Sequence, residues 1–220
     1  MSLPALSLLE TRVLGVLVEK RHTVPDAYPL TLNALVSGCN QKTSRDPVIE
    51  ASEAEVQAAL DHLRQLALVV ESSGGRAMRY AENAGRVLGV PSESVALVAT
   101  LMLRGPLTPA EIRQGCERLH RFADVSSVEA YLAELASRSA GALVVELPRA
   151  PGARENRWAH LLSGAPDVPT AHAAQAAGAT DAVGVGEIAA LKRNVDDLTR
   201  ELAELKAELA RVMDELGIQR

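Results

Sequence analysis

The sequence predicts an α+β protein that is mainly helical, and three observations support this prediction. Apolar residues recur at helical spacing through most of residues 6–137. Two short strand-like runs, Leu68–Val70 and Leu143–Val145, each follow three predicted helices, and a heptad pattern occupies the C-terminus. Three helices followed by a β-hairpin is the order of a winged helix. We therefore predict two tandem winged-helix domains, then a flexible linker and a C-terminal coiled-coil helix.

Length and composition limit the class of protein. The 220 residues fit one large or two small domains, and an apolar fraction of 47% is ordinary for a folded chain. Because no apolar run is long enough to span a bilayer and the N-terminus lacks signal-peptide features, we expect a cytoplasmic protein with no membrane partner. The net charge is -5, and its acidic excess lies in residues 164–220, which hold six Lys/Arg and ten Asp/Glu. Neither predicted domain has the cationic excess that is typical of duplex-binding domains.

The first unit, residues 1–87, contains three predicted helices and a hairpin. Helical spacing places Glu10, Arg12 and Glu19 off the apolar face of its first helix. The predicted elements are a helix from Leu6 to about Arg21, a helix capped by Thr31, a helix begun by Ser52 in capping-box spacing with Glu55, and strands at Leu68–Val70 and Met78–Ala81 around the turn Ser72–Gly75.

The second unit, residues 88–162, repeats this order. Thr31 and Cys39 recur as Thr108 and Cys116 with one shift of 77 positions, so the two units are copies of one pattern. The predicted elements are helices at Ser92–Arg104, from Thr108 with Glu111 as its capping-box acid, and at Ser126–Ser137, and strands at Ala142–Leu147 and Asn156–Leu161.

The remaining chain predicts a linker and a dimerisation helix. Residues 163–186 are rich in alanine and glycine and have no apolar period, which indicates a flexible linker. Residues 187–217 carry a coiled-coil pattern whose flanking charges, such as Glu201 opposite Lys206, favour a parallel homodimer. The alternative is a helix that packs back on its own chain. The apolar a and d positions are Ile188, Leu191, Val195, Leu198, Leu202, Leu205, Leu209, Val212 and Leu216.

The connector between the second and third helices, residues 40–51, is much longer than the usual helix-turn-helix turn. Lys42 and Arg45 are placed there either to contact nucleic-acid phosphates or to bond to acidic neighbours in the same domain, and both alternatives stay open. Val48–Glu50 is extended enough to pair with the first hairpin.

This connector also resembles a known family. The segments YPLTLNALVSGCNQKTSRDPV, SEAEVQAALDHL and LRGPLTPAEIR resemble the YceH family of bacterial proteins, a group of uncharacterised function built from two winged-helix domains. The resemblance covers about residues 6–162 and implies the tandem winged-helix fold, but it implies no catalytic residue. Thr43 and Ser44 stand where the family more often has serine followed by asparagine. The residues that match the family's motif are Asn40, Gln41, Lys42, Arg45, Asp46 and Pro47.

The sequence motifs do not indicate a catalytic site or a metal site. Cys39 continues an apolar helix face and Cys116 repeats its position, so both are predicted to be buried structural thiols. The five histidines are scattered without metal-ligand spacing. We therefore predict a non-enzymatic protein with no catalytic residues, no cofactor and no metal site.

Two functions remain. The first hypothesis is a DNA-binding or transcription-regulatory factor, because duplex recognition is the commonest use of winged helices. The alternative is an adaptor that binds protein partners, because carboxylates such as Asp61 and Glu129 lie on the predicted outward faces of the third helices and would repel phosphates. The candidate nucleic-acid-binding residues are Lys42, Arg45, Arg76, Arg79, Arg149, Arg154 and Arg157.

Overall fold

The computed structural model describes residues 3–73, 77–149 and 153–166, which form α-helices and two small antiparallel sheets. The predicted α+β class is confirmed. The proposed coiled coil at 187–217, with all of its apolar positions, lies outside the described residues, as do most of the proposed linker and Arg76. Within the described ranges, no helix combines the length and the apolar character needed to cross a membrane.

Each half of the described chain contains three helices followed by a hairpin, in the predicted order. A short helix, α4, joins the two halves and was not predicted, nor was a 3-10 turn at Pro25–Ala27. The elements are α1 (Leu8–Thr23), α2 (Leu32–Cys39), α3 (Glu53–Gln65), β1 (Val69–Ser73), β2 (Met78–Glu82), α4 (Ala84–Leu88), α5 (Ser92–Arg104), α6 (Pro109–Cys116), α7 (Val125–Ala136), β3 (Val144–Glu146) and β4 (Trp158–His160).

Side-chain caps fix where the helices begin. The predicted caps Thr31, Ser52 and Thr108 each accept a hydrogen bond from the backbone N–H three residues ahead, and the last two form complete capping boxes. Helix α7 begins one residue before the predicted start, because Asp124 accepts from the backbone N–H of Ser127 at 2.7 Å and so acts as its cap. The local sequence therefore determines these boundaries.

A single residue extends each hairpin to a third strand. Leu30 exchanges two backbone hydrogen bonds with Tyr80, of 3.0 and 2.8 Å, and Leu107 does the same with Trp158, at 3.1 and 2.8 Å. The prediction that Val48–Glu50 pairs with the first hairpin is wrong, because Leu30 already bonds both outward backbone groups of Tyr80. Leu30 and Leu107 are 77 positions apart, the same shift that relates the caps.

Helices α1 and α5 pack against each other at the centre. A Cβ added at Gly15 of α1 would lie 2.9 Å from Cγ of Leu103 of α5, which shows how closely the two helices approach. Helix α1 is buried on all sides at its middle, so the prediction that Glu10 and Arg12 lie off the buried face is wrong: they are 9% and 0% exposed. The physical reason is that other parts of the first half cover these side chains: Glu10 pairs with His62 of α3, and Arg12 bonds to the carbonyl oxygens of Cys39 and Pro47. Buried residues of both halves form one continuous core.

Glycine allows the same close helix contact in each half. A Cβ added at Gly38 of α2 would lie 2.6 Å from Cγ1 of Val16 in α1. At Gly115 of α6, 77 positions later, it would lie 2.8 Å from Cγ2 of Thr100 in α5. These distances are shorter than carbon atoms tolerate, so a larger residue requires the helices to move apart.

We predict that Gly38→Ala destabilises the protein by up to about 2 kcal/mol. Overpacking typically costs about 1–3 kcal/mol, and the better helix propensity of alanine offsets about 1 kcal/mol of that. Urea unfolding of the variant measures the change. The matched control is Gly38→Ala combined with Val16→Ala: removal of the clashing methyl group should make the two substitutions strongly non-additive, whereas simple additivity would contradict the contact.

Candidate functional site

The loop 40–51, which carries the motif residues, is closed at its base by one side chain. Asn40 donates from Nδ2 to the carbonyl oxygen of Ala51 at 2.8 Å, and its Oδ1 accepts from the N–H of Ala51 at 2.8 Å. Inside the loop, Ser44 has a φ of 58°, in the left-handed region where asparagine is more favourable than serine. The loop is therefore an ordered structure with defined ends.

The guanidinium of Arg45 points into the protein. Its Nη1 and Nη2 bind both carboxylate oxygens of Glu19 on α1, at 3.1 and 2.6 Å, and its Nε donates to the carbonyl oxygen of Gly38 at 3.2 Å. The Arg45 side chain has no solvent exposure, and that of Glu19 is 14% exposed. Burial alone would raise the pKa of the Glu19 carboxyl, but hydrogen bonding and attraction to Arg45 outweigh it and leave this pKa below its ordinary value.

A second buried arginine bonds to the backbone on both sides of the motif residues. Arg12 of α1 donates to the carbonyl oxygens of Cys39 and Pro47, at 3.3 and 2.7 Å, while its buried Nε has no partner among the described residues. Burial and the nearby charge of Arg45 lower the pKa of this guanidinium. The side chains of Arg12 and Arg45 are both buried between the loop and the rest of the protein, so neither positive charge is accessible to an external ligand.

The loop also connects the first half to the second. The N–H of Asp46 donates to the carbonyl oxygen of Leu103 near the end of α5, at 2.9 Å. Nη2 of Arg104 donates to Oγ of Ser44 at 3.0 Å. Five of the six motif residues thus make bonds inside the protein, through Asn40, Gln41, Arg45, Asp46 and the carbonyl of Pro47.

These contacts change the set of candidate phosphate ligands. Of the two alternatives for Arg45, the structure shows the internal bond, so the prediction that it contacts phosphate is wrong: its guanidinium is already bound and inaccessible. Lys42 is exposed and makes no hydrogen bond or ion pair with other described residues. It is therefore the motif cation that remains available to an external partner.

The hairpin cations differ in their exposure and in their contacts. Arg79 is half-buried, and its Nη1 donates to the carbonyl oxygen of Pro29 at 2.7 Å. Arg157 lies 3.8 Å from a carboxylate oxygen of Glu111, while Arg149 and Arg154 are exposed. Arg76 lies outside the described residues. Arg79 and Arg157 therefore make contacts within the protein, whereas Arg149 and Arg154 remain exposed.

The two cysteines are interior groups. Cys39 and Cys116 are both fully buried, which confirms their predicted burial. Burial raises the pKa of each thiol to about 11. Sγ of Cys116 lies 3.0 Å from Oγ1 of Thr100. In the described ranges, no group of three or more His, Cys, Asp or Glu side chains is placed to hold a metal ion.

Helices α3 and α7 present outward faces without free cations. Arg64 is the one cation of α3, and it is paired with both Asp61 and Glu71. Helix α7 contains no lysine or arginine, and its residues Glu129 and Glu134 are exposed. These faces therefore carry carboxylates, as the sequence predicted.

The outer edge of β1 is open. Because Tyr80 directs both backbone groups to Leu30, its neighbours on β2 bond to β1, which leaves the N–H and C=O of Glu71 and Ser73 facing outward; Val69, at the start of the strand, is 3% exposed. No other described segment pairs with this edge. A groove follows it, and the exposed apolar side chains of this groove are Val70 and Met78, at 51% and 44% exposure.

Sequence reasoning missed the role of Arg12 although a signal was present. Arg12 lies three positions after Leu9 and four before Val16, which places it on the same helix face as those apolar residues. The bonds from Asp46 to Leu103 and from Arg104 to Ser44 have no such signal in the sequence, because they depend on how the two halves pack together.

We predict that Arg45→Ala destabilises the protein by about 3–5 kcal/mol, because it removes the buried, two-point partner of the Glu19 carboxylate and leaves only the partly exposed Lys20 paired with it. Lys42→Ala in the same loop is the matched control and should change the unfolding free energy by less than about 0.5 kcal/mol. Urea unfolding of both variants tests this prediction. A cost for Arg45→Ala as small as that for Lys42→Ala would contradict the buried ion pair.

The lowered pKa of Glu19 predicts a pH dependence with a definite sign. Its contribution to stability is fully present above the ordinary value of 4.5 and is lost as pH falls through the lower folded-state value. The difference in unfolding free energy between the wild type and Glu19→Gln should therefore shrink from about pH 6 to about pH 3. A difference that stays constant over this range would show that the carboxylate charge does not stabilise the fold.

Comparison with known proteins places this chain in a family. Residues 6–153 match the family model described as "Protein of unknown function, DUF480". A UPF0502 protein of Dechloromonas aromatica (strain RCB) is 59% identical over 208 residues, which cover 94% of this chain and 96% of the relative. UPF0502 proteins of Burkholderia orbicola (strain MC0-3) and Burkholderia pseudomallei (strain 668) are 55% and 56% identical, over 99% of this chain and 92% of each relative. The chain therefore belongs to the DUF480, or UPF0502, family of bacterial proteins, in agreement with the family resemblance found in its sequence.

Proposed function

We propose that this protein is a non-enzymatic adaptor of two winged-helix units that binds a protein partner. The order of three helices and a hairpin, with a bridging residue that adds a third strand, supports the winged-helix interpretation of each half. The observation that carries the adaptor function is the surface formed by α3 and β1, where an open strand edge and exposed apolar side chains lie beside carboxylates.

The strand edge suits one kind of partner. Outward backbone groups at Glu71 and Ser73 can bond to an extended segment that adds a strand to the sheet. Such an edge is a ready template for strand pairing, and an added partner strand is one way to cover it. Val70 and Met78 provide apolar contacts on the two faces of the added strand.

The charge of this surface defines the partner further. Asp61 lines the groove at 50% side-chain exposure, and Glu53 extends the acidic face of α3. Arg64 is already paired with two carboxylates and adds no free positive charge. We therefore propose an extended partner segment that alternates apolar and basic residues.

Duplex binding is the second candidate. Exposure of Lys42 in the loop, and of Arg149 and Arg154 at the second hairpin, favours it, because exposed cations of this kind contact phosphates. The third helices disfavour it, since their carboxylates would face the phosphate backbone in the standard docking geometry. The DNA-regulator hypothesis thus rests on the loop and hairpin cations alone.

The proposed oligomeric state and cellular location are inferred from the sequence. The heptad pattern at 187–217 supports a parallel homodimer, which would bring two copies of each groove together. The adaptor acts without a cofactor, and we place it in the cytoplasm.

Peptide binding to the full-length protein tests the adaptor function. A fluorescent peptide that alternates valine and lysine should bind at about 150 mM salt, and the same peptide with a central proline should not. Asp61→Lys should weaken binding about tenfold, whereas Glu129→Lys, the same charge change on α7, should leave it unaltered. Equal loss in both variants would reflect general electrostatics and would contradict a site at α3 and β1.

Duplex DNA in the same assay separates the two candidates. The adaptor proposal expects negligible duplex binding at this salt concentration. Tight duplex binding that Lys42→Glu weakens, with a salt dependence reduced by about 0.9 in the slope of log K against log salt, would instead establish the DNA-binding function.

A further inference from the structure

A second surface, distinct from the α3 and β1 groove, lies where the two halves of the protein meet. The C-terminal ends of α1 and α5, the loop 40–51 and the turn after α6 surround a cleft of about 260 Å³. This volume suits a small ligand or one end of a larger one. Three cations line it: Lys20 from α1, Arg104 from α5 and Arg118 after α6.

The positive charge of this cleft is only partly neutralised from within. Glu19 is the one carboxylate among the described lining residues, and it is shared: Arg45 binds both of its oxygens, and Nζ of Lys20 lies 3.3 Å from its Oε2. Arg104 donates to Oγ of Ser44, and Arg118 has no carboxylate within 4.0 Å among the described residues. Converging cations repel one another in a partly enclosed site, so an anion bound between them would be stabilised.

Both halves contribute equivalent positions to the cleft. A Cβ on Gly38 would lie 3.8 Å from Cε of Lys20, and a Cβ on Gly115 would lie 3.7 Å from Cζ of Arg104. In each half, the side chain of a basic residue on the first helix therefore passes over a glycine on the second helix: Lys20 over Gly38, and Arg104 over Gly115. Arg118 follows Gly115 by three positions, as Gln41 follows Gly38 in the other half. The cleft thus forms only when the two halves are in contact.

The geometry points to a binding site in this cleft for a phosphate group, carried free or as the ester of a small metabolite. Guanidinium groups bind phosphate oxygens by paired hydrogen bonds, and Lys20 adds a point charge. The hydroxyls of Thr43 and Ser44 add donors at the rim. Leu119 supplies an apolar wall that would contact the remainder of an ester.

Calorimetry on the full-length protein with inorganic phosphate, at constant ionic strength set by sodium chloride, tests this site. We expect saturable binding that Arg118→Gln weakens about tenfold, because one charged hydrogen-bonding partner is lost. Arg118 is exposed, so its replacement should leave the fold intact. Arg121→Gln is the matched control: this exposed arginine, paired with Glu117, does not line the cleft, and its replacement removes the same charge without affecting binding.

Two additional ligands distinguish the source of the phosphate. Phenyl phosphate should bind more tightly than inorganic phosphate if the site takes an ester, and with equal affinity if it takes the free anion. Absence of saturable binding, or equal weakening by Arg118→Gln and Arg121→Gln, would overturn the proposal. Duplex DNA that displaces phosphate from the wild type would also overturn it, because the cleft would then be part of a nucleic-acid surface.

Discussion

The buried ion pair between Arg45 and Glu19 is the interaction on which the rest of this structure depends. A fully buried guanidinium is tolerated only when an opposite charge compensates it, and Glu19 on α1 does so for Arg45. In the folded protein, the loop that carries Arg45 is therefore held against α1. Once held there, the loop places Asp46 and Ser44 against the end of α5. A local electrostatic requirement thus becomes a connection between the two halves.

Because the loop connects the two halves, few of its polar groups remain accessible to a ligand. A loop rich in cations and hydroxyl groups, between the two helices that face DNA in helix-turn-helix proteins, suggests a phosphate-binding element. Here most of its polar groups bond within the protein, so the loop is a structural joint. The accessible groups that could bind a partner form two other surfaces. One is the acidic face of α3 beside the open edge of β1, and the other is the cationic cleft formed by the two halves together. The two surfaces have opposite charge and suit different ligands.

The sequence predicted local features well and long-range features poorly. Caps such as Thr31 and Ser52, and the 77-position repeat, follow from residues close together in the chain, and the structure confirms the caps. The prediction for Arg12 and Glu10 is wrong because their partners lie 27 to 52 positions later, in the carbonyls of Cys39 and Pro47 and in His62 of α3. The strand role given to Val48–Glu50 belongs to Leu30, whose pairing with Tyr80 has no local signal. The open edge of β1 likewise follows from that pairing.

The motif loop is an integral part of the core. Hydrogen exchange measured by NMR at the amide of Asp46, whose N–H donates to Leu103, tests this most directly. The account predicts protection similar to that of amides in the middle of α5, because the loop detaches only when the two halves separate. Exchange as fast as that of the exposed loop amide of Lys42 would contradict it.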